Sequence, residues 1–307
     1  LNHCSENNMK YNVGIIGRGF VGNAILSHLK KQDCVRVCSY DVNDDLDIDT
    51  GYGHITRNCE FIYVCLPTPS DKNGRCFTEG VDNSLNLLSH HASNNNKFPV
   101  VFIKSTMAPE TTDKLQEKYS NLILICNPEF LTERFAEDNV SESQKHLIGL
   151  PVKERSIMGL VRDYHERVWP DSECVFTTPT EAELIKYTTN NFFAVKVTFA
   201  NLIFNTCNTL NIDYDNFIES ALKSDPRLGS LHWEVPGHDG RLGFGGKCFP
   251  KDLRGMIKLL EDKDIDASLL KNVQASNLNS RKEDEQCQLD SITEVNQLLR
   301  KTFTFLL

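Results

Sequence analysis

The sequence predicts an α/β protein, with an N-terminal Rossmann-like, doubly wound parallel sheet followed by an all-helical central domain. Three observations carry this. Short apolar runs rich in β-branched residues recur through the first part of the chain with polar or helix-patterned stretches between them, and repeated β-α units imply a parallel sheet covered on both faces. The first run leads into a glycine turn and an amphipathic stretch. From about Thr180 the alternation gives way to a long apolar segment almost free of breakers. The expected boundaries are 1–179 for the sheet domain and 180–307 for the helical domain. Residues 1–10 read as a disordered extension, with Met9 as the natural start.

The elements follow in order. "YNVGIIG" (Tyr11–Gly17) is a strand run, and Gly17, Gly19 and Gly22 follow in the spacing G-x-G-x-x-G. "NAILSHLKK" then reads as a helix and "VRVCSYD" as a second strand ending at Asp41. That context makes the glycines a dinucleotide turn. Gly17 and Gly19 let backbone N–H groups at the helix start approach a pyrophosphate, with Phe20 and Val21 on the cofactor side, and Gly22 lets helix and strand pack closely. Asp41 stands where a carboxylate accepts from a ribose 2′-OH, which favours NAD over NADP. The further runs "FIYVCLP", "VVFIKST", "LILICNP", "HLIGL" and "CVFTT" continue the sheet. Ligands bind beyond the carboxyl ends of such strands. The residues there are Pro67, Thr68 and Pro69, then Ser105 and Thr106, then Asn127, Pro128 and Glu129, with Glu133 a helical turn on.

The stretch "EAELIKYTTNNFFAVKVTFANLIFNTCNTL" is one long helix, with Lys186 and Asn190 at i and i+4 on one face and Asn201 further along the same side. A lone lysine on a helix is ordinarily solvated or snorkelling. Paired with Asn190 in so apolar a segment, Lys186 reads as a site residue. The apolarity also calls for burial on several faces, in a domain core or at a dimer interface. Next comes "GFGGKCFPKD", in which Gly243, Gly245 and Gly246 precede Cys248, flanked by Lys247, Lys251 and Asp252. Further helix follows, then a polar tail ending in "KTFTFLL".

Composition bounds the function. A net charge of −9 argues against a nucleic-acid surface. No apolar run approaches the ~18 residues of a membrane span, and the N-terminus lacks a signal-peptide core. Eleven cysteines without a CxxC pair fit neither a zinc site nor a disulfide framework, so no metal is expected and the cysteines read as reduced, in a cytoplasmic protein. Only Cys248 sits in a polar, glycine-rich setting.

Taken together, the blocks "GIIGRGFVG", "PTP", "KSTMAPETT", "NPEFLTERFAED", "EAELIKYTTNNF" and "GFGGKCFPKD" resemble, in order from Val13 to Asn279, the UDP-glucose/GDP-mannose dehydrogenase family. The resemblance implies oxidation of the C6 alcohol of a nucleotide sugar to a carboxylate, with two NAD+ per turnover and a cysteine nucleophile. It assigns Cys248 as that nucleophile. Lys186 and Asn190 become the pair that stabilises charge on the reacting oxygen. Asp252 and Thr106 hold or activate water, Glu129 is an acid/base, and Glu133 lies near the nicotinamide. Lys251 contacts cofactor or substrate, while Phe130, Leu131, Phe244 and Gly245 contact substrate. Arg227, in "DPRLG", reaches the sugar site of a neighbouring subunit in an expected homodimer.

Departures from the family pattern are also legible. Lys247 replaces a small residue before the cysteine and is expected to lower the thiol pKa if it faces Cys248. The segment 230–242 is longer than the family's loop. The family's third, nucleotide-gripping domain finds no counterpart, which leaves substrate identity open. UDP-glucose is favoured over GDP-mannose. The alternatives are a β-hydroxyacid or 6-phosphogluconate type of dehydrogenase, which uses no cysteine, and an NAD-binding dimer module without turnover.

Overall fold

The computed structural model describes residues 11–130, 145–151 and 156–281. The expected extension over 1–10 and the site candidates Leu131 and Glu133 lie outside these residues. The described residues divide into two units: one takes in residues 11–68 together with Thr78–Lys186, the other Pro69–Phe77 together with residues 187–281.

The first unit is built on strands β1 (Tyr11–Ile16), β2 (Val35–Tyr40), β3 (Phe61–Val64), β4 (Val100–Ile103), β5 (Ile123–Cys126), β6 (Lys145–Gly149) and β7 (Glu173–Thr177). They lie side by side in the order β2-β1-β3-β4-β5-β6-β7. The five strands β1 to β5 pair in parallel, so the chain order reverses between β1 and β3, where such sheets take ligands. The sheet is parallel as expected except at one place. β6 runs antiparallel to β5 through a single Cys126–Gly149 pairing, and β7 then runs parallel to β6. A short apolar run buried on both faces carries no mark of its direction, which is why the sequence does not reveal this reversal.

Helices α1 (Phe20–Leu29), α2 (Ile48–Asn58), α3 (Glu79–Asn95), α4 (Thr111–Lys118) and α5 (Met158–Val168) cover the sheet. Period-two alternation sends successive strand residues to opposite faces. Ile62 and Val64 of β3 join Ile55, Leu85, Leu88 and Leu115 from α2, α3 and α4. Phe61 and Tyr63 join Ile25, Leu29, Val161 and Tyr164 from α1 and α5. Burial on both faces makes β3 and β4 wholly apolar. Beside the second core sits an aromatic cluster, in which His28 stacks on Trp169 at 5.0 Å between ring centroids and His165 lies 5.3 Å from both His146 and Trp169.

Helix α6 (Pro179–Leu210) has 32 residues. It starts with a capping box: the Glu181 carboxylate accepts from the Thr178 backbone N–H at 2.9 Å, and the Glu181 N–H donates to the Thr178 hydroxyl at 3.3 Å. Pro179 occupies the first turn, where its missing N–H costs nothing.

In the second unit the rest of α6 packs with α7 (Tyr214–Ser224), α8 (Phe249–Asp262) and α9 (Ser268–Ser280). One core gathers Ala194, Phe244, Leu253, Ile257 and Val273; another gathers Ala200, Cys207, Tyr214, Trp233 and Val235. The long 230–242 segment is therefore anchored: the Tyr214 hydroxyl donates to the Trp233 carbonyl at 2.7 Å. Gly255 lets α8 pass close to α6, since a Cβ there would lie 2.6 Å from the Tyr187 hydroxyl. Residues Pro69–Phe77 join this unit through an Arg75–Asp262 ion pair at 3.2 Å and a 3.4 Å bond from the Ser70 hydroxyl to the Lys251 carbonyl.

Candidate active site

In the first unit the glycine turn has the geometry its spacing implies. Gly17 has φ +87°, and a Cβ on it would lie 2.6 Å from the Cys65 carbonyl oxygen. A Cβ on Gly22 would lie 1.9 Å from the Gly17 carbonyl oxygen, so only glycine fits both places. Gly19 differs: no atom lies within 4 Å of its Cβ position, so the turn is open where a phosphate would approach. Gly19 also caps α1 without any side-chain bond, and no acidic residue occupies the first turn. The amides opening the helix at Phe20 and Val21 thus keep their capacity for an anion.

Asp41 follows the last residue of β2. Its Oδ2 accepts from the Arg18 backbone N–H at 2.7 Å, and its Oδ1 accepts from the Asn43 N–H at 3.1 Å and side-chain amide at 2.7 Å. Burial alone would raise its pKa, but these bonds and the Arg18 charge hold it below the ordinary carboxylate value. The carboxylate stays ionised and Oδ2 retains a lone pair for a ribose hydroxyl. Arg18 pairs with Asp44. The open turn, uncapped helix and anchored carboxylate fit a pyrophosphate and a ribose diol.

At the carboxyl ends of β3 and β4 the hydroxyls bind protein. Ser105 donates to the Leu66 carbonyl at 2.7 Å and accepts from the Leu66 N–H at 3.1 Å, while Thr68 donates to the Thr106 carbonyl at 2.6 Å. These bonds stitch the two strand ends together; Pro67 is exposed and Thr106 half-buried. Glu129 is half-buried beyond β5, and the buried Lys186 ammonium lies 5.0 Å over the Phe130 ring.

Sequence reasoning passed over Lys104. It is 8 % exposed and donates to Asn127 Oδ1 at 3.1 Å, and Asn127 in turn donates to the Leu147 carbonyl at 2.8 Å. Burial lowers its pKa to about 8, against the opposing pull of the Glu129 charge; the Lys186 charge also lowers it. The signal was a lysine placed directly after the apolar run "VVFI", inside the buried end of a strand.

In the second unit Cys248 is exposed and is the N-cap residue of α8. A thiol at a helix N-terminus feels the positive end of the helix dipole, which favours thiolate. Lys247 is exposed. The charge of Lys251, inside the first turn of α8, interacts with Cys248. Burial disfavours its ammonium, but Asp252, Cys76 and Cys248 outweigh burial and hold the pKa above the ordinary lysine value. Its Nζ lies 2.5 Å from Asp252 Oδ1. Asp252 is 1 % exposed, and its Oδ2 accepts from Asn190 Nδ2 at 2.5 Å. Asn190, Lys251, Asp252 and Cys248 therefore belong to one connected group.

The glycine-rich loop before Cys248 is locked by side chains. Asn201 accepts from the Gly243 N–H at 2.9 Å, and Asn277 accepts from the Phe244 N–H at 2.7 Å while donating to its carbonyl at 2.9 Å. Gly243 and Gly246 have φ of +72° and +73°, and a Cβ on Gly245 would lie 2.4 Å from the Arg281 guanidinium. The Phe244 side chain is in the core. Arg227 is apart from this group: its side chain is 89 % exposed and folds back on Asp225 at 2.6 Å.

Comparison with known proteins identifies the family. Residues 40–167 match the NAD binding domain of the UDP-glucose/GDP-mannose dehydrogenase family, and residues 180–279 match its central domain. The glycine turn lies ahead of the matched range. The UDP-glucose 6-dehydrogenase of Rickettsia bellii is 30% identical over 239 residues, covering 76% of this chain and 53% of its own length. A putative UDP-glucose 6-dehydrogenase of Bacillus subtilis, YtcA, is 29% identical over 228 residues, with 72% and 51% covered. The chain spans about half the length of the curated relatives it matches. Two solved structures share the fold. A UDP-glucose dehydrogenase from Pyrobaculum islandicum aligns with TM-score 0.77 at 22% identity, over 90% of this chain and 70% of that one. A 3-hydroxyisobutyrate dehydrogenase from Mycobacterium tuberculosis aligns with TM-score 0.65 at 13% identity, over 87% and 92%. With both family domains matched in sequence order and NAD as the cofactor of the first, the chain belongs to the UDP-glucose/GDP-mannose dehydrogenase family.

Proposed function

We propose that the chain serves the NAD-dependent oxidation of the C6 alcohol of a nucleotide sugar to a carboxylate, with UDP-glucose as substrate. The observation that carries this reading is the group at the start of α8: an exposed thiol at a helix N-terminus, coupled to Lys251 and followed by a buried Asp252 held by Asn190. A simple alcohol dehydrogenase has no use for such a thiol.

Bound NAD+ supplies the hydride acceptor in both oxidations. Glu129 takes the proton of the C6 alcohol as the aldehyde forms. The Cys248 thiolate adds to the aldehyde carbon, giving a thiohemiacetal whose oxygen is stabilised by Lys186 and Asn190. Loss of the second hydride and a proton leaves a thioester on Cys248. Water held by Thr106 and Asp252 attacks the thioester carbonyl, the C–S bond breaks, and the acid leaves with the thiolate regenerated. A free thiol of pKa ~8.5 is only about 3% thiolate at pH 7, so the helix N-terminus and the Lys251 ammonium act where the reaction needs charge. Phe130, Gly245 and Arg227 are proposed on the substrate side, Thr68 and Ser105 on the cofactor side.

The test is NADH release with a panel of nucleotide sugars. Two NADH per UDP-glucose, abolished in Cys248→Ser, is expected; one NADH per substrate with an active Cys248→Ser chain would refute the four-electron course. That second outcome would favour a β-hydroxyacid type of dehydrogenase, whose fold the 3-hydroxyisobutyrate enzyme shares. We also propose a homodimer through α6. Phe192, Phe199, Leu202 and Leu210 on this helix are each at least half exposed, an apolar face that water does not favour. Sedimentation should show a dimer that Phe199→Glu dissociates; a monomer in the parent chain would refute it.

A further inference from the structure

Away from the site described above, a second pair of cysteines meets beneath α2. Cys38 is on β2 and Cys59 closes the C-terminus of α2, and their Sγ atoms are 3.2 Å apart. Sulfur atoms so close are in direct contact, with one thiol donating to the other.

The contact depends on a glycine. Gly14 of β1 is the in-register parallel partner of Cys38, so any side chain on it would stand beside that of Cys38 on the same face. The place a Gly14 Cβ would take is occupied from above: it would lie 3.3 Å from Cys59 Sγ, 3.5 Å from Cys59 Cβ and 2.5 Å from the Ile55 Cγ2 methyl. The bare strand lets Cys59 lean across β1 and touch Cys38. Closing the bond asks the sulfurs to approach by about 1.1 Å, which side-chain torsions supply.

We infer that Cys38 and Cys59 are an oxidative modification site, a thiol pair that a disulfide oxidant such as oxidised glutathione converts to an intramolecular disulfide in the folded NAD-binding unit. The two thiols have unequal parts. Cys38 is half-buried and reachable, whereas Cys59 is 4 % exposed. The contact with Cys59 pulls the Cys38 thiol pKa down, and the same contact with burial drives Cys59 up. Cys38 is therefore the attacking thiolate. Its sulfur displaces one glutathione thiolate and forms a mixed disulfide. The negative charge beside Cys59 is then gone, so Cys59 can lose its proton to the departing thiolate and attack the Cys38 sulfur. The second glutathione leaves as thiolate and takes a proton from water. Two protein thiols and one oxidised glutathione give one protein disulfide and two reduced glutathiones.

The experiment uses the full chain as Cys248→Ser, so that the exposed thiol does not consume the oxidant. The folded protein is incubated with oxidised glutathione, alkylated and digested with trypsin. Cys38 falls in the peptide Val37–Arg57 and Cys59 in Asn58–Lys72, which also carries Cys65. Fragmentation separates the last two, and Cys65 packs on the opposite face of the sheet from Cys59. The expected result is a Cys38–Cys59 link with loss of two hydrogen atoms, and in Cys59→Ser a glutathione adduct that stays on Cys38. A Cys38–Cys65 link, or a Cys38–Cys59 link that forms only in denaturant, would overturn the proposal. So would a Cys38 adduct that persists with Cys59 intact.

Discussion

Acid should weaken the sheet unit through its buried histidines, and replacing one of them should blunt the effect by a calculable amount. Burial lowers the His146 pKa to about 2, helped by the charges of His165 and Lys104, and burial lowers His165 to about 4. The Nε2 atoms of both lack a protein partner in the described residues, so both rings pack as neutral aromatics against Trp169. In the unfolded chain each titrates near 6.5. Depressed folded values mean that the unfolded state binds the proton first. The stabilisation is therefore complete above pH 6.5 and falls as pH drops below it. Between pH 7 and pH 5 the unfolded form gains about 1.8 kcal/mol per histidine, so the two together cost about 3–4 kcal/mol. His146→Phe keeps a flat ring and strands no bonded partner. Its urea-derived stability should drop by about 1.8 kcal/mol less than the parent's over that interval. Glu183, whose burial raises its pKa to about 7, shifts stability in the opposite sense but is common to both proteins and cancels. Equal drops in parent and variant would refute the reasoning.

Three further outcomes are expected. Lys251→Met leaves the 1 % exposed Asp252 without its ion partner and should cost about 3 kcal/mol; adding Asp252→Leu should recover most of it, and a second loss on top of the first would contradict the pairing. Glu183→Gln removes a carboxyl whose pKa is raised in the fold, so as pH rises from 4.5 through 7 the parent should lose about 2–3 kcal/mol relative to the variant; parallel curves would count against it. Gly22→Ala places a methyl against the Gly17 carbonyl and should abolish NAD binding by fluorescence titration while far-ultraviolet dichroism is kept; unchanged affinity would show that the turn opens elsewhere.

The sequence was most informative where one residue type alone could satisfy the backbone. Gly17 and Gly22 are forced by contacts under 3 Å to backbone oxygens, and the apolar runs that became β3 and β4 are forced by burial on both faces. It was silent where the meaning of a residue depends on a distant neighbour. The direction of β6, the burial of Lys104 and the meeting of Cys38 with Cys59 all depend on elements that only the fold brings side by side. Lys247 drew attention by adjacency to Cys248, whereas the interaction of Lys251 with that thiol depends on the first turn of α8 and was not legible from spacing alone. Asn201 was legible as lying on the site side of the long helix, but its role, fixing the Gly243 backbone, was not.

The nine residues Pro69–Phe77 have a consequence for how this chain is made. They belong to the second unit, but their partners Lys251 and Asp262 are 181 and 187 residues further along. A ribosome releases this strip long before α8 exists, so it must wait unpaired while the sheet unit folds around its two ends. Closing so long a loop is an entropic cost that only late contacts repay. A fragment cut at the start of α6 would lack the strip altogether, leaving the Arg75 side of α8 bare. The helical unit is thus not a cassette that can be moved by one cut: its last piece of surface is already translated before its first helix begins.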